Sequence, residues 1–579
     1  MKKSNKNWQH RIIEKNGQYF FQGSTSNIPI SNFTMKVLFL LESTTCPKRI
    51  VEITNMQGKK IIFEMPADAM TSCESFSKIL ERKGNFIFSG NKASLFALKQ
   101  VLFQDERKAI QIEYLGYQRK FNLFAFSNGV FDEKGSFHPI GKDGTVEVDG
   151  NIFYIASANE IIEGSEQVEL QNQRLFQHKT GTCSFEEWVS LFQEVFNENG
   201  IIGLSYFLAS FYRDVIFDEL NCFPHLFLAG KPQSGKSTFR RILMNFFGHE
   251  QTSIHCGIGS TQKALSRKLA QLCNAFISCE EYKNDIDKKL IETMKGVYDG
   301  EGYERAVKSN DNQTFTTSVK SALIIAGQEL PTKESSLFTR LILLEFNQTE
   351  FASSQQAKLA ELIKISEKGL THIVGELLIH RSLIRAKFQE VLQLLIRYFK
   401  EKFKRENISD RVIINYCAVL APLYIFQDEN IYKFSFLTDK SIDLFEQVIR
   451  QHVSHLKATD ELNEFWQTLK LLIETSVLRE NENYLFKTIE GKNCICIRWE
   501  TTYDKYLEQR QKRRLAHLDK QTLSSYLKND KSFHPGRGHG KCHFIKILTD
   551  SKSFFCFDTA LIEVDFSEKT TESQKMLYN

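Results

Sequence analysis

The chain has 579 residues, 42% hydrophobic and 25% charged, with a formal net charge of +5. That mixture excludes a largely disordered or fibrous protein, and the length predicts roughly three or four domains. The mild positive charge permits nucleic-acid binding without arguing for it.

No apolar run approaches the length of about 20 residues that a membrane-spanning helix needs. The start, MKKSNKNWQHRIIEKNG, lacks the apolar stretch of a secretory signal, and the 12 cysteines form no CxxC pair. A cytoplasmic protein with reduced thiols and no membrane partner is expected. Abundant phenylalanine (48) and scarce proline (9) predict well-packed cores.

Residues 1–170 read as an N-terminal α+β accessory domain. Short β-branched and aromatic runs (KVLFLLES, RIVEITN, KIIFEM, NFIFSG, AIQIEYLGY, FNLFAFSNGVF, GNIFYIA) are separated by Gly, Asn, Asp and Ser turns. SFSKILERKG and SLFALKQVLFQDE read as helices among them, and the polar stretch 165–183 as a linker. Residues 171–350 open with helical FEEWVSLFQEVFNENG and LSYFLASFYRDVIF. Strands and helices then alternate, as in a parallel sheet with crossover helices. Residues 351–455 are helical almost throughout and read as a lid or connector. Residues 456–566 read as helices followed by short strands around a Gly-rich loop, and 567–579 as a frayed tail. The expected fold class is multidomain α/β.

The strongest motif is HLFLAGKPQSGKSTFRRILMNFFG. A buried strand leads into Gly230, Lys231, Pro232, Gln233, Ser234, Gly235, Lys236, Ser237 and Thr238, then an amphipathic helix. This is the Walker A pattern GxxxxGK[ST] in its strand-loop-helix setting. The glycines let successive N–H groups point at a phosphate chain, and the helix N-terminus adds partial positive charge. Lys236 is placed to reach the β- and γ-phosphates, and Ser237 to offer a hydroxyl to Mg²⁺. Farther on, NAFISCEEYKND gives a short strand ending in Glu280 and Glu281. Glu280 is the expected Mg²⁺ support and Glu281 the group that polarises the attacking water. A third strand, SALIIAG, ends at Gln328 and Glu329. A fourth, LILLEF, follows Arg340. Between the acidic pair and the third strand, YERAVKS and QTFTTSVKS flank Ser-Asn-Asp-Asn, which is hairpin-turn chemistry. Arg305, Lys308 and Lys320 lie along that hairpin as flexible cations suited to phosphate contacts.

Residues 190–420, through AGKPQSGKST, STQKALSRKLAQLCNAFISCEEYKN, GYERAVKSNDNQTFTTSVKSALIIAGQE and SSLFTRLILLEF, resemble the AAA+ cores of MCM-like and superfamily 3 helicases. The resemblance is strongest to replication helicases carried by integrative mobile elements and phages. It implies a hexameric ring that hydrolyses ATP with Mg²⁺ between subunits and translocates on single-stranded or forked DNA, alongside a primase or initiator partner. It also implies roles for single residues: Gln328 as sensor 1, with Glu329 next in line, Arg340 as an arginine finger acting in trans, and Arg411 in SDRVIINYCAVLAPL as a second sensor. The Glu-Glu pair where the family carries Asp-Glu, and Gln-Glu where it carries a lone Asn, are departures.

TTYDKYLEQRQKRRLAHLDKQTLSSYLKNDKSFHPGRGHGKCHFIKILTD reads as helix, helix, strand, Gly-rich loop and strand, the order of a C-terminal winged helix. Arg513, Arg514, Arg537 and Lys541, together with Arg510 and Lys512, are its candidate DNA-phosphate contacts. His534, His539, Cys542 and His543 match no standard zinc spacing. Two other readings stand beside the helicase: a regulatory or defence NTPase that switches assembly with nucleotide, and an origin-remodelling initiator without processive unwinding.

Overall fold

The structure is a computed structural model. It describes residues 11–566 except 24–25, 43–46, 105, 158–172, 250, 258–261, 303, 307–313, 317, 332–333, 348–352, 407, 437, 516, 531, 548–549, 563 and 565. The chain divides into two compact units, Met1–Glu329 with Arg340–Phe445, and Leu330–Thr339 with Glu446–Asn579.

In the first unit, residues up to Ile155 build a mixed six-stranded sheet. Its order is Thr145–Val148, Asn151–Ile155, Lys108–Ile112, Phe33–Glu42, Lys48–Asn55, Lys60–Pro66. Helices Cys73–Arg82 and Lys92–Leu102 pack on one face, Phe76, Leu80, Leu95 and Leu98 meeting Phe33, Met35, Val51, Ile53 and Phe63. Side-chain caps from Ser72 and Asn91 start both helices by satisfying free backbone N–H groups. NFIFSG, expected as a strand, makes one isolated bridge, Ser31 to Phe88. The Asn32 side chain accepts from Ile87 N–H and donates to the Asn85 carbonyl, taking backbone bonds a strand partner would have made.

A second, five-stranded sheet has the order Phe137–Pro139, Gly129–Phe131, Leu123–Phe126, Leu115–Gln118, Leu272–Cys273. Its last strand comes from the α/β core. At Gly116 a Cβ would stand 2.0 Å from the Cys273 carbonyl oxygen, so glycine is required where the two strands meet. Phe124 stacks on Phe211 and Phe247, and Phe176 on Phe126 and Phe247. Much of the phenylalanine content is spent in this way, fastening the sheet to the core. Phe176, inside the stretch read as a linker, is fully buried.

The core is a five-stranded, all-parallel sheet in the order Ile254–His255, Phe276–Tyr282, Ala322–Gly327, His225–Gly230, Leu341–Phe346. The inner strands are near-continuously buried, as a sheet covered on both faces demands. A capping box of Ser184 and Glu187 starts the helix Phe185–Phe211, which breaks at Asn197 (φ 51°). Helices Ser353–Lys368, Thr371–Ile379, Arg381–Lys402 and Asp410–Asp428 follow the sheet. Among the described residues no single helix is long and apolar enough to cross a membrane.

In the second unit, helices Trp499–Lys512 and Lys520–Asn529 pack with Phe465, Trp466 and Leu469 against Phe555 and Phe557 of the antiparallel strand Asp550–Asp558. Phe533–His534, His543–Ile547 and Lys492–Ile497 all pair with that strand. The region opens in the helix Thr438–Glu474, as expected, but the hairpin Tyr484–Ile489/Lys492–Ile497 then comes before these two helices, where strands are expected only after them. Its turn, Glu490-Gly491, takes positive φ at both positions (49° and 81°), the geometry of a type I′ turn.

Candidate nucleotide site

The strand His225–Gly230 ends where no side chain fits. A Cβ on Gly230 would stand 2.4 Å from the Phe346 carbonyl oxygen and 2.8 Å from Ser234 Oγ. Gln233 and Gly235 then take positive φ (61° and 94°), and Gly235 heads the helix Lys236–Met244. Amides turned this way form a concave anion seat, and the helix N-terminus reinforces it. Lys236 Nζ donates to the carbonyls of Gly230 (2.6 Å) and Lys231 (2.7 Å) and to Ser234 Oγ (3.2 Å). The ammonium therefore lies over the loop's own oxygens. Burial lowers its pKa, and the charge of Glu281 opposes that shift. Lys231, Pro232, Gln233 and Ser237 are exposed, Thr238 half-buried and Ser234 buried.

The acidic strand Phe276–Tyr282 carries a one-residue bulge at its end. Cys279 pairs with Ile325 and Tyr282 with Gly327, three steps on one strand against two on the other. Glu281 sits in the bulge at φ 59°. A regular strand would send Glu280 and Glu281 to opposite faces, and a bulge re-aims side chains. The backbone cost of such a φ at a non-glycine residue is about 1–2 kcal/mol. Glu281 is exposed and its charge acts on Lys236, which places it on the glycine-loop side. Glu280 is held differently: its Oε1 lies 2.8 Å from Arg240 Nη2, from the helix that follows the loop.

Gln328 follows the central strand and is exposed, whereas Glu329 Oε2 accepts from Asn284 N–H at 3.1 Å. Strand register levels these ends: Ala229 pairs with Gly327, Tyr282 with Gly327 and Gly230 with Phe346. Lys236, Glu280, Glu281 and Gln328 thus gather at the carboxyl edge of the parallel sheet, where open α/β sheets bind ligands. The donor set suits a nucleotide with its cation: an anion seat with a lysine, and hydroxyl and carboxylate oxygens (Ser237, Glu280) that a hard divalent cation prefers.

Arg340 is elsewhere. Its carbonyl accepts from His225 N–H, so it is level with the start of the glycine-loop strand. Five residue steps, roughly 17 Å, separate that level from Gly230. The guanidinium lies 3.6 Å from Asp299 Oδ2 and over the Tyr298 ring. Arg411 stands at the same end. Burial raises the Tyr298 hydroxyl and the Cys222 thiol, and the charge of Arg411 partly offsets both. It is therefore close to Arg340 and away from the glycine loop.

Glu304–Ala306 and Thr314–Thr316 pair antiparallel, with Arg305 opposite Phe315. Lys308 lies outside the described residues. Lys320, below the hairpin, is half-buried, with its ammonium 4.3 Å from the Tyr114 ring centroid and donating to the Tyr114 hydroxyl at 3.2 Å. In the second unit Lys512, Arg513, Arg514, Arg537 and Lys541 are exposed, whereas Arg510 is buried and paired with Glu464. His534 and His543 meet at 3.2 Å, but no group of three metal-ligand side chains forms among the described residues.

The sequence reading passed over Arg240. A cation among Phe239, Ile242 and Leu243, one turn after Lys236, was the available signal, because a buried arginine needs an anionic partner.

Fold and site together define a mixed α/β multidomain chain with a parallel-sheet core and a glycine-rich loop at the sheet's carboxyl edge. No family model matches the sequence, and no curated protein matches it. Among solved structures the chain is similar to one titled "SCCmec type IV Cch - active helicase", at 13% identity over 96% of this chain and 99% of that one, with a TM-score of 0.49. It is also similar to a putative ATPase from Cytophaga hutchinsonii, at 14% identity over 44% of this chain and 84% of that one, TM-score 0.27. A third likeness is to the C-terminal region of NrS-1, at 12% identity over 89% and 95%, TM-score 0.28. All three scores lie below 0.5.

Proposed function

We propose that this chain is an AAA+ ATPase that assembles into a ring, most simply a hexamer, and unwinds DNA in the replication of a mobile element or phage. The observation that carries the reading is the meeting of Lys236, Glu280, Glu281 and Gln328 at one sheet edge, with the strand bearing Gln328 inserted between the other two. Gly230 to Thr238 would hold the triphosphate of ATP, and Ser237 and Glu280 its Mg²⁺. The bound cation would neutralise charge on the phosphates. Glu281 takes the role of holding and polarising the attacking water, and Gln328 that of aligning it. Arg340, too far along the sheet to reach its own loop, is the candidate to meet a neighbouring subunit's nucleotide, with Arg411 beside it.

The hairpin ahead of the Gln328 strand is the proposed DNA grip, and the exposed cations of the second unit, read as a winged helix, the proposed duplex contact. The test is ATP hydrolysis with and without single-stranded DNA, beside strand displacement on a forked duplex. Hydrolysis stimulated by DNA, with displacement that Lys308→Ala abolishes while nucleotide binding survives, is the expected result. Hydrolysis indifferent to DNA, with no displacement, would move the assignment to a nucleotide-driven assembly switch.

A further inference from the structure

Resting on the nucleotide-site reading, we infer that Arg240 is a positioning residue: it sets the pose of Glu280 and so governs how well the site uses its divalent cation. Arg240 is 4% exposed and lies on the face of Lys236–Met244 turned toward the acidic strand. Nη2 is 2.8 Å from Glu280 Oε1, and Nη1 donates to Ser278 Oγ (3.3 Å) and to Met244 Sδ (3.2 Å). Ser278 Oγ in turn meets Ser253 Oγ at 2.6 Å, so the guanidinium is braced by the acidic strand and its neighbour.

Lys236 and Arg240 are four residues apart, hence on one helix face. A single rigid turn therefore carries both the ammonium over the phosphate seat and the guanidinium holding the carboxylate beside it. The contact is a single ion pair, Nη2 to Oε1, in which Oε1 makes no hydrogen bond among the described residues, so it is charge in a buried setting that holds the carboxylate. Glu280 has one methylene's more reach than an aspartate would, and Arg240 limits the freedom that the extra methylene brings. Removing Arg240 would leave a largely buried carboxylate unpaired and free to turn from the cation.

The experiment is the affinity for a fluorescent, non-hydrolysable ATP analogue, measured in Mg²⁺ and in EDTA. Arg240→Gln should lose about tenfold of the Mg²⁺-dependent tightening while the affinity in EDTA changes less than twofold, and Arg240→Lys should fall between. In a Glu280→Gln background, Arg240→Gln should add nothing, because its route to the cation is gone. An unchanged Mg²⁺ effect in Arg240→Gln, or a full further loss in the Glu280→Gln background, overturns the role of Arg240 and leaves the nucleotide site standing. Wild-type protein that binds the analogue with no help from Mg²⁺ overturns both. If Arg240→Gln does not fold, Arg240→Lys carries the same comparison.

Discussion

The bulge at Glu281 inverts an ordinary stability rule, and the inversion can be measured. At a regular strand position glycine is less stable than alanine by about 0.5–1 kcal/mol, because it loses more backbone freedom on folding. At φ 59° alanine meets a steric cost of about 1–2 kcal/mol that glycine escapes. Glu281→Gly should therefore be more stable than Glu281→Ala by roughly 0.75 kcal/mol, the mid-range steric cost of about 1.5 less the mid-range entropic cost of about 0.75. Glu281 is exposed, so loss of the side chain itself adds little to either variant. Urea unfolding of the pair, followed on the transition that an ATP analogue raises, gives the difference, provided the m-values agree. Both variants should lose hydrolysis by roughly 10²–10⁴-fold, the usual worth of a positioned base. An alanine variant as stable as the glycine variant, or more so, would refute the left-handed backbone at Glu281 and with it the re-aiming of the carboxylate toward Lys236.

Two further outcomes are expected. Burial holds His225 down to about 4 and His452 down to about 3, against 6.5 for an unburied ring. Both rings bind fewer protons folded than unfolded in that interval, so stability falls as pH drops below 6.5, by about 1.4 kcal/mol per pH unit for each. His225→Gln should flatten that fall by one histidine's share in unfolding curves at pH 7 and 5.5, and an unchanged slope would show that the ring protonates in place. For DNA, the salt slope of duplex affinity should become shallower by roughly 0.9 for each of Arg513, Arg514, Arg537 and Lys541 changed to alanine. Unchanged slopes in all four would remove this surface from the interface.

The core was legible because its signals are local. The glycine loop needs particular residues at fixed spacing, and buried parallel strands read as apolar runs between helices. Glu280 and Glu281 were equally plain as the end of such a run. Their separate settings were not, since one depends on a register slip against the central strand and the other on a guanidinium 40 residues earlier in the chain. The same limit explains the strand read at NFIFSG, where Asn32 takes the backbone bonds, and the hairpin missed before Trp499, whose Glu490-Gly491 turn is a weaker cue than Asn-Gly. Basic residues read alike in sequence, yet burial separates Arg510 and Arg240, spent on Glu464 and Glu280, from Arg513, Arg514 and Arg537, which face solvent.

The strand Leu272–Cys273 belongs by pairing to the N-terminal sheet and by sequence to the core. Asn274 and Ala275 alone separate it from the acidic strand, a tether of about 7 Å at full stretch. Asn274 turns that corner at φ 54°, and its side chain exchanges hydrogen bonds with Asp214, which Arg381 and Arg385 also hold. Among the described residues this short corner joins the N-terminal sheet directly to the root of the acidic strand. A chain begun near residue 173 would bare the edge that Leu115 and Gly116 now cover, three residues upstream of the acidic strand. A load on the N-terminal sheet therefore enters the chain at Cys273, seven residues before Glu280.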